Sequence, residues 1–377
     1  MFNIFDVITI GSATRDVFLK SEGFEIRKHS DSPTGVEQCF PLGSKIEVKE
    51  VVFATGGGGT NAAVTFARQG LKTGCVGVVG DDLNGKEIIK ELKNEKVNPF
   101  FSVHKGNSTA YSVILVHPNA ERTILSYKGE GQHFSPREIE VSRRANLVRY
   151  LGKSEKRLDL LLGKLKAKWF FFDSMGGSWD LLQRAFEYTT ARNFKIAFNP
   201  GGRELVLGLE KLKPYLAETD IFSVNKEEGE ALLKSEGAGP ASPHPHRAQS
   251  ADLRAVGGPP VESPAQKDPE IILKELDKLV KGTVVLTLGP EGVLVSDKKN
   301  VYRAGTPDSP RVERTGAGDA FVSGFVSQYI LSEGDIIKSI QFATANASSV
   351  VAQYGPKAGI LKKDDWGPWE LVEVFPK

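Results

Sequence analysis

Strand-like and helix-like segments alternate along the chain, and this pattern restricts the folds that are open to it. Short β-branched or aromatic runs at residues 7–11, 74–80, 169–173, 194–199 and 220–225 have the composition of buried strands. Helix-like segments follow several of them. Strands that alternate with helices form parallel sheets, which need a helical layer on each face. The sequence therefore predicts an α/β fold with a parallel sheet and helices on both faces.

Composition and charge argue against several classes of function. The 377-residue chain carries a net charge of +2, which favours neither nucleic acid nor an anionic membrane as a partner. Cys39 and Cys75 make no disulfide framework, and six scattered histidines without CxxC or HExxH predict no structural zinc site. The amino terminus lacks the features of a signal peptide, and no apolar run approaches a membrane span. We therefore expect a cytoplasmic protein.

A glycine-rich turn late in the chain carries the clearest chemical signal. Gly316 and Gly318 flank Ala317, and Asp319 opens an apolar run that reads as a buried helix. Such glycines let successive N–H groups point outward at the helix start, where the dipole favours an anion. A carboxylate suits this place if it accepts a proton from a hydroxyl while the N–H groups hold a transferred phosphoryl group. In the competing interpretation, Thr315 caps the helix and the acid merely lies in its first turn.

Other polar residues lie near the ends of predicted strands. Asp16 follows the first strand, where ligands bind in open α/β sheets, although a turn or capping role is the alternative. Four glycines at residues 56–59 precede Asn61 and a helix start, and they either bring the backbone close to a ligand or form a hinge. Asn225 ends a strand and Glu228 lies in the next helical turn. These two either hold the water shell of a Mg²⁺–nucleotide or are favoured there only by the helix dipole.

Two regions depart from the alternating pattern. Residues 17–55 are irregular and polar, and their stretch 45–51 alternates with the period of a strand. With a predicted hairpin at 112–126, they predict a small sheet that could cover a ligand. Residues 237–268 are rich in Pro, Ala, Gly and Ser and have no apolar period. We expect a disordered surface insertion there that the fold does not need.

Together these motifs resemble the ribokinase-like (PfkB) family of carbohydrate and nucleoside kinases. The resemblance covers nearly the whole chain except residues 237–268. It rests on motifs in the family's order, namely Gly11 with Asp16, Gly56-Gly57 with Asn61, Val79-Gly80-Asp81-Asp82 with Gly85, Asn225 with Glu228, Thr287-Leu288-Gly289 with Gly292, and Thr315-Gly316-Ala317-Gly318-Asp319. It implies one domain over residues 1–377, with a doubly wound, mainly parallel sheet and a small β-sheet lid built from about 17–55 and 107–131.

The resemblance also implies the residues of the site. Asp319 is implied to be the catalytic base, and the anion hole is formed by Gly316, Ala317 and Gly318. The residues implied to bind the substrate are Asp16, Gly57, Gly58, Asn61 and Asp173. Those implied to bind the nucleotide are Asn225, Glu228, Thr287, Gly289, Gly292 and Asn346, of which the last would contact the base. Glu228 is also the implied metal residue, through water.

The implied cofactors are ATP and Mg²⁺. Many members of the family have Asp-Thr or Asp-Pro before the Thr-Gly-Ala-Gly-Asp run, and this chain has Glu313-Arg314. Because an acid at that place often belongs to a monovalent-cation site, the departure leaves activation by K⁺ open. Arg314 could instead supply positive charge near a phosphate.

The implied function is transfer of the γ-phosphate of ATP to a hydroxymethyl group of a sugar or sugar acid. A nucleoside kinase of the same family is the first alternative, and it would need an aromatic lid wall, for which the candidates are Phe40, Phe53, Tyr111 and Tyr127. A non-catalytic sugar-binding or nucleotide-binding regulatory protein is the second, which the intact Asp319 disfavours. The expected partners are a small-molecule substrate and, through exposed lid edges, a second copy of the chain.

Overall fold

A computed structural model describes residues 4–29, 32, 35–117, 122–129, 165–235 and 267–376. The strands are β1 (Phe5–Ile10), β2 (Thr14–Lys20), β3 (Glu25–Lys28), β4 (Val36–Cys39), β5 (Glu50–Gly56), β6 (Thr73–Gly80), β7 (Asn98–His104), β8 (Tyr111–Val116), β9 (Arg122–Tyr127), β10 (Ala167–Phe172), β11 (Lys195–Phe198), β12 (Ile221–Asn225), β13 (Thr283–Thr287), β14 (Val293–Ser296), β15 (Val301–Ala304) and β16 (Val374–Pro376). The helices are α1 (Gly58–Arg68), α2 (Leu83–Asn94), α3 (Trp179–Thr190), α4 (Gly202–Leu205), α5 (Leu209–Leu216), α6 (Lys226–Lys234), α7 (Pro269–Leu279), α8 (Ala317–Leu331) and α9 (Ile336–Val351).

The large sheet has the order β16-β15-β14-β13-β12-β11-β10-β1-β6-β7. The seven neighbouring strands β13, β12, β11, β10, β1, β6 and β7 pair in parallel. Strands β14, β15 and β16 extend the β13 edge of the sheet in antiparallel pairs. The chain winds outward from β1 in both directions, so β1 lies at the switch point where ligands bind in such sheets. The predicted doubly wound, mainly parallel sheet is confirmed.

Alternate residues of β1 point into two different hydrophobic cores. Ile8 and Ile10 belong to a core that includes Leu182 of α3, whereas Val7 packs in a core with Phe66 of α1 and residues of α8 and α9. Strand side chains alternate between the faces of a sheet. Helical layers therefore cover both faces, as the sequence predicts.

Helix α8 is enclosed on nearly all sides, which explains why its sequence is apolar all round. Its Ser323 Oγ donates to Thr65 Oγ1 of α1 at 2.9 Å. On another side, Gly324 lies against Ala343 of α9, where a Cβ on the glycine would meet the backbone at 3.2 Å. The predicted buried helix from residue 317 is confirmed, and its middle packs on two neighbouring helices.

The lid is a four-stranded sheet in the order β5-β2-β8-β9, beside the separate β3–β4 pair. The predicted hairpin is confirmed, since β8 and β9 pair in antiparallel register. The strand expected over 45–51 is wrong, because β5 begins only at Glu50. Its partner β2 ends at Lys20, so the residues before β5 have no strand to pair with. Ser21 Oγ instead donates to the carbonyl of Glu47.

In the described part of the chain, no helix is both long and apolar enough to cross a bilayer.

Most of the expected insertion at 237–268 lies outside the described residues. Of its last two residues, Asp268 caps the following helix, because Asp268 Oδ1 accepts from Glu270 N at 2.9 Å. Lys267 N donates to Glu230 Oε1 at 3.4 Å, and Glu230 lies on α6. The chain therefore leaves α6 and returns to α7 at nearly the same place.

We expect residues 237–266 to be replaceable by a Gly/Ser linker of about six residues, because the two ends already lie close together. The melting temperature should stay within about 3 °C of wild type, since no described core residue is removed. A matched deletion of 237–268 also removes the Asp268 cap and should be less stable by about 1 kcal/mol. A fall of about 8 °C or more in the first variant would show that the segment supports the fold.

Candidate active site

The turn before α8 needs glycine at one position and leaves open space at another. Gly316 has φ 82°, in the left-handed region, and an added Cβ would overlap Pro356. Gly318 has nothing within 4 Å of the place where a Cβ would lie. The amino-terminal end of α8 is therefore closed by Pro356 on one side and open at Gly318 on the other, as an anion site requires.

Two cavities meet at this turn. Ala317 and Gly318 line the larger one, of about 410 Å³. Thr315, Gly316 and Asp319 line the smaller one, of about 140 Å³. A group held in one cavity thus faces a group held in the other across the helix start.

The smaller cavity brings together most of the predicted substrate residues. Asp16, Gly57 and Asn61 line it beside Asp319. Sequence reasoning missed the rest of its wall, which is made largely by Thr14, Ser112, Ile114 and Ile124. These come from β2, β8 and β9, so their place depends on how the lid sheet lies over the core.

The predicted residues Gly58 and Asp173 lie beside this cavity and against each other. A Cβ on Gly58 would overlap the Asp173 carboxylate, and Gly58 N donates to Ser12 Oγ at 3.1 Å. Asp173 Oδ1 accepts from Ser174 N, whereas its buried Oδ2 has no partner among the described groups. Neither residue is in the wall of the cavity.

A hydrogen bond joins Asp319 to helix α1. Asn61 Nδ2 donates to Asp319 Oδ2 at 2.8 Å, which leaves the buried Asn61 Oδ1 without a partner among the described residues. Burial raises the pKa of the Asp319 carboxyl, while the Asn61 hydrogen bond and the charge of Lys357 lower it. The acid is half-buried and in reach of a ligand, as a general base must be.

Two further carboxyls in this region are shifted in the same direction. Burial raises the pKa of Asp16, although hydrogen bonds from Thr14 and Ser112 oppose the shift. Burial and the nearby charge of Asp319 together raise the pKa of Asp173 well above its usual value. Neighbouring carboxyls cannot all ionise cheaply, so Asp173 is the one most favoured to keep its proton.

The larger cavity is lined by three of the six predicted nucleotide residues, and Asn225, Glu228 and Asn346 are not in its wall. Thr287, Gly289 and Gly292 all line it. Gly292 has φ 99°, and an added Cβ would overlap the Ala304 carbonyl, so only glycine fits. The arginines that line the same cavity are Arg122, Arg311 and Arg314. Their charge suits a ligand with several phosphates.

A buried carboxylate connects the turn to the lid. Glu313 is 1% exposed, and its two oxygens accept from Thr315 N at 2.8 Å each and from Thr315 Oγ1 at 2.6 Å. Arg122, the first residue of β9, places Nε at 3.3 Å from Glu313 Oε1. Sequence reasoning singled out Glu313 but not its partner, because only the docked lid brings the two together.

Asn225 and Glu228 form a reciprocal cap at the start of α6. Asn225 Oδ1 accepts from Glu228 N at 2.8 Å, and Glu228 Oε2 accepts from Asn225 N at 3.0 Å. Burial raises the pKa of Glu228, and the charges of Glu227 and Asp319 add to the shift. The capping role is therefore present, and Glu228 is also near enough to sense Asp319.

The expected contact between Asn346 and a nucleotide base does not agree with the structure. Asn346 is fully buried, donating from Nδ2 to Ala320 O at 2.8 Å and accepting at Oδ1 from Leu361 N at 2.9 Å. The side of α9 that lines the larger cavity is formed by Thr344, Ala347, Ser348 and Val351. Their spacing of three and four residues defines one helical face, and Asn346 lies on another.

Comparison with known proteins agrees with this geometry. A family model described as pfkB family carbohydrate kinase matches residues 5–363. A deoxyribokinase of Salmonella typhi is 24% identical over 332 residues, which is 87% of this chain and 91% of that protein. A ribokinase of Staphylococcus aureus is 21% identical over 356 residues, covering 94% of this chain and 96% of the relative.

Solved structures share the fold over almost the full length. Arabidopsis thaliana ribokinase complexed with ribose and ATP has a TM-score of 0.63 and 18% identity, with 96% of each chain covered. A Burkholderia thailandensis nucleoside kinase in complex with inosine has a TM-score of 0.64 and 15% identity, again with 96% of each chain covered. Because the family model spans nearly the whole chain, the protein belongs to the pfkB family of carbohydrate kinases and is a phosphotransferase that acts on an alcohol group.

Proposed function

We propose that the protein transfers the γ-phosphate of ATP to a hydroxymethyl group of a sugar or sugar acid. The observation that carries the proposal is the meeting of two cavities at the start of α8, with Asp319 on the smaller side. The larger cavity would hold the nucleotide and the smaller one the acceptor. Transfer then needs only a short movement across the glycine turn, with attacking and leaving oxygens roughly in line.

Asp319 would accept the proton of the attacking hydroxyl. Its hydrogen bond from Asn61 orients the carboxylate, and the unpartnered Asn61 Oδ1 is an acceptor for a second substrate hydroxyl. The N–H groups of the turn would hold the charge that builds on the transferred phosphoryl group, in a place where Gly318 leaves room for it. Lid closure over the acceptor would keep water from attacking instead.

Mg²⁺ fits this site as an ion carried largely by the nucleotide. Among the described residues no three His, Cys, Asp or Glu side chains cluster to form a metal cage. Glu228 has one carboxylate oxygen engaged in its cap, and it would face the ion through water, with phosphate oxygens as the other ligands. When bound, Mg²⁺ would supply charge neutralisation to the phosphates.

A K⁺ requirement is not part of the proposal. The Glu313 carboxylate already faces the Arg122 guanidinium and three hydrogen-bond contacts from Thr315. A charged group of the protein thus stands where an added cation would otherwise be needed. Cytoplasmic location also stays a prediction.

The lining of the smaller cavity favours a sugar over a nucleoside. The aromatic residues considered for a nucleoside wall do not line it, and Phe53 and Tyr127 are 62% and 55% exposed. The relatives named above include a ribokinase and a deoxyribokinase, which supports a sugar-sized acceptor. Ile114 and Ile124 provide the apolar part of the wall, and the lid would have to open further for a nucleoside.

The outer face of the lid supports a dimer. Phe53 and Leu125 lie in one cross-strand row of the sheet, and they are 62% and 55% exposed. Val51 and Tyr127 share that face, whereas Asp16 and Ser112, one residue out of phase, line the substrate cavity. An exposed apolar sheet face of this kind is typical of an association surface. We propose that two lids pack through it.

Asp319→Asn should leave ATP binding nearly intact and lower turnover by roughly 10²–10⁴, the usual contribution of a general base. The measurement is ADP release with a panel of sugars, sugar acids and nucleosides, which also separates the two substrate classes. Asp180→Asn, at an exposed position on α3, is the control and should match wild type. Turnover of Asp319→Asn within tenfold of wild type would refute the assignment, and absence of ADP release from wild type with every acceptor would refute the function.

Arg122→Met should lower kcat/KM for ATP by roughly ten- to a hundredfold, because it removes a cation from the nucleotide cavity and leaves Glu313 buried without its ion pair. Arg122→Lys should recover part of the loss, and Arg303→Met, exposed on β15, should behave as wild type. In wild type, replacing K⁺ by tetramethylammonium should leave turnover unchanged. A strong K⁺ requirement in wild type would contradict this account of Glu313.

Phe53→Glu should convert a dimer to a monomer, because it places a charge in the proposed apolar contact. Light scattering coupled to gel filtration at tens of micromolar protein measures the mass. Phe375→Glu is a matched control, since Phe375 is 57% exposed on β16, far along the chain from the lid. A monomeric wild type, or a Phe53→Glu variant that stays dimeric, would rule out association through this face.

A further inference from the structure

A buried lysine lies behind the acceptor cavity. Lys357 is 4% exposed, and lysine is almost never this buried unless it is paired. It follows Pro356, which lines the smaller cavity and packs against Gly316 of the phosphate turn. Nothing in the family resemblance singled out this residue, and the reaction proposed above does not use it.

Contacts from three parts of the fold fix its position. Nζ donates to Thr55 Oγ1 at 2.5 Å and lies 3.3 Å from Glu91 Oε2 of α2. The main-chain oxygen accepts from Arg68 Nη1 of α1 at 2.9 Å. Thr55 lies two residues before Gly57, which lines the smaller cavity. A lysine held at both its backbone and its ammonium group cannot follow a ligand, so its charge stays in one place.

The titratable groups that face this lysine are four carboxyls and one thiol. They are Glu91 of α2, Glu95 at the end of α2, Asp16 of β2, Cys75 of β6 and Asp319 of α8, and Glu95 is paired with Arg68. Burial raises the pKa of the Cys75 thiol to about 12, so that group stays neutral. Glu91 has 34% of its side chain exposed and provides the one salt bridge to Lys357 within the described ranges. Burial lowers the pKa of the Lys357 ammonium group, whereas the ion pair with Glu91 opposes that shift and favours the charged form. The two carboxyls of the smaller cavity, Asp16 and Asp319, also face this ammonium group.

Those carboxyls need such a cation. Burial raises the pKa of both Asp16 and Asp319, and the charge of Asp319 in turn raises the pKa of Asp173 and of Glu228. The charge of Lys357 works in the opposite direction on Asp16 and Asp319. Lys128 is a second cation that faces Asp16, but it lies on the lid, after β9. A base that held its proton at neutral pH could not deprotonate a hydroxyl.

We propose that Lys357 is a positioning residue whose fixed charge keeps Asp319 ionised, and therefore ready to act as a base, at neutral pH. The inference rests on the proposed function of Asp319. It adds a resident cation on the acceptor side of the turn, distinct from the arginines that line the nucleotide side.

The direct test is a carboxyl titration. Protein labelled with ¹³C at aspartate Cγ is followed by NMR over a pH series, and the Asp319 signal is assigned with Asp319→Asn. In Lys357→Met the midpoint of Asp319 should move to higher pH by about one unit, because loss of a nearby positive charge disfavours the ionised carboxylate. Lys357→Arg should restore the wild-type midpoint to within about 0.3 unit, since the charge is kept.

The kinetic test uses the pH dependence of kcat. The acidic limb for Lys357→Met should move upward by the same amount as the NMR midpoint, with the alkaline plateau within about threefold of wild type. A merely structural lysine would lower the plateau and leave the limb in place. Lys363→Met, an exposed lysine of the same loop, is the control and should change neither.

A second variant covers loss of folding. If Lys357→Met does not fold, Glu91→Gln/Lys357→Met removes both members of the pair, so that no carboxylate is left without its cation, and the same upward shift is expected. The inference is overturned if midpoint and limb coincide with wild type within about 0.2 unit. If wild type phosphorylates no acceptor, the proposed function has failed, and the NMR midpoints alone decide whether Lys357 acts on Asp319.

Discussion

The arrangement of the whole site depends on one steric constraint, the contact between Gly316 and Pro356. Because a side chain at residue 316 would overlap the proline, the chain can pass only with a glycine in the left-handed conformation. That conformation sets the direction in which α8 begins. The helix start opens toward the larger cavity at Gly318, while Asp319, one residue later, lines the smaller cavity. In the proposed reaction, this single turn would hold the phosphate and the base in separate places.

Charge is divided across the same turn. The larger cavity is lined by arginines, and the smaller one by Asp16 and Asp319. This division of charge suits phosphoryl transfer. In that reaction a phosphoryl group moves from a phosphate held by cations to a hydroxyl oxygen whose proton is taken by a base. Two ion pairs, each with one buried member, connect the turn to the rest of the fold, one from Glu313 to Arg122 of the lid and one from Lys357 to α2.

Local patterns in the sequence predicted the parts of the molecule that local forces determine. The buried strands, helix α8 and the lid hairpin follow from apolar period and turn composition, and several glycines of the motifs line one of the two cavities. The prediction of a strand over residues 45–51 was wrong because a strand also needs a partner strand, and β2 ends before it reaches most of these residues. The prediction that Asn346 contacts a base failed because the small residues of α9 indicate close packing of the helix but do not indicate which of its faces lines the cavity. The partners of Glu313 and Lys357 were out of reach, since they are set by tertiary docking.

The register of the lid has a consequence for how specificity can change. Asp16 and Val17 are neighbours on β2, yet the first lines the smaller cavity and the second belongs to the row of Phe53 and Leu125 on the other face. The residues of the cavity and those of the proposed contact therefore occupy separate sets of positions in the lid sheet. An insertion that shifted the strand by one residue would exchange the two faces at once and change both sets together.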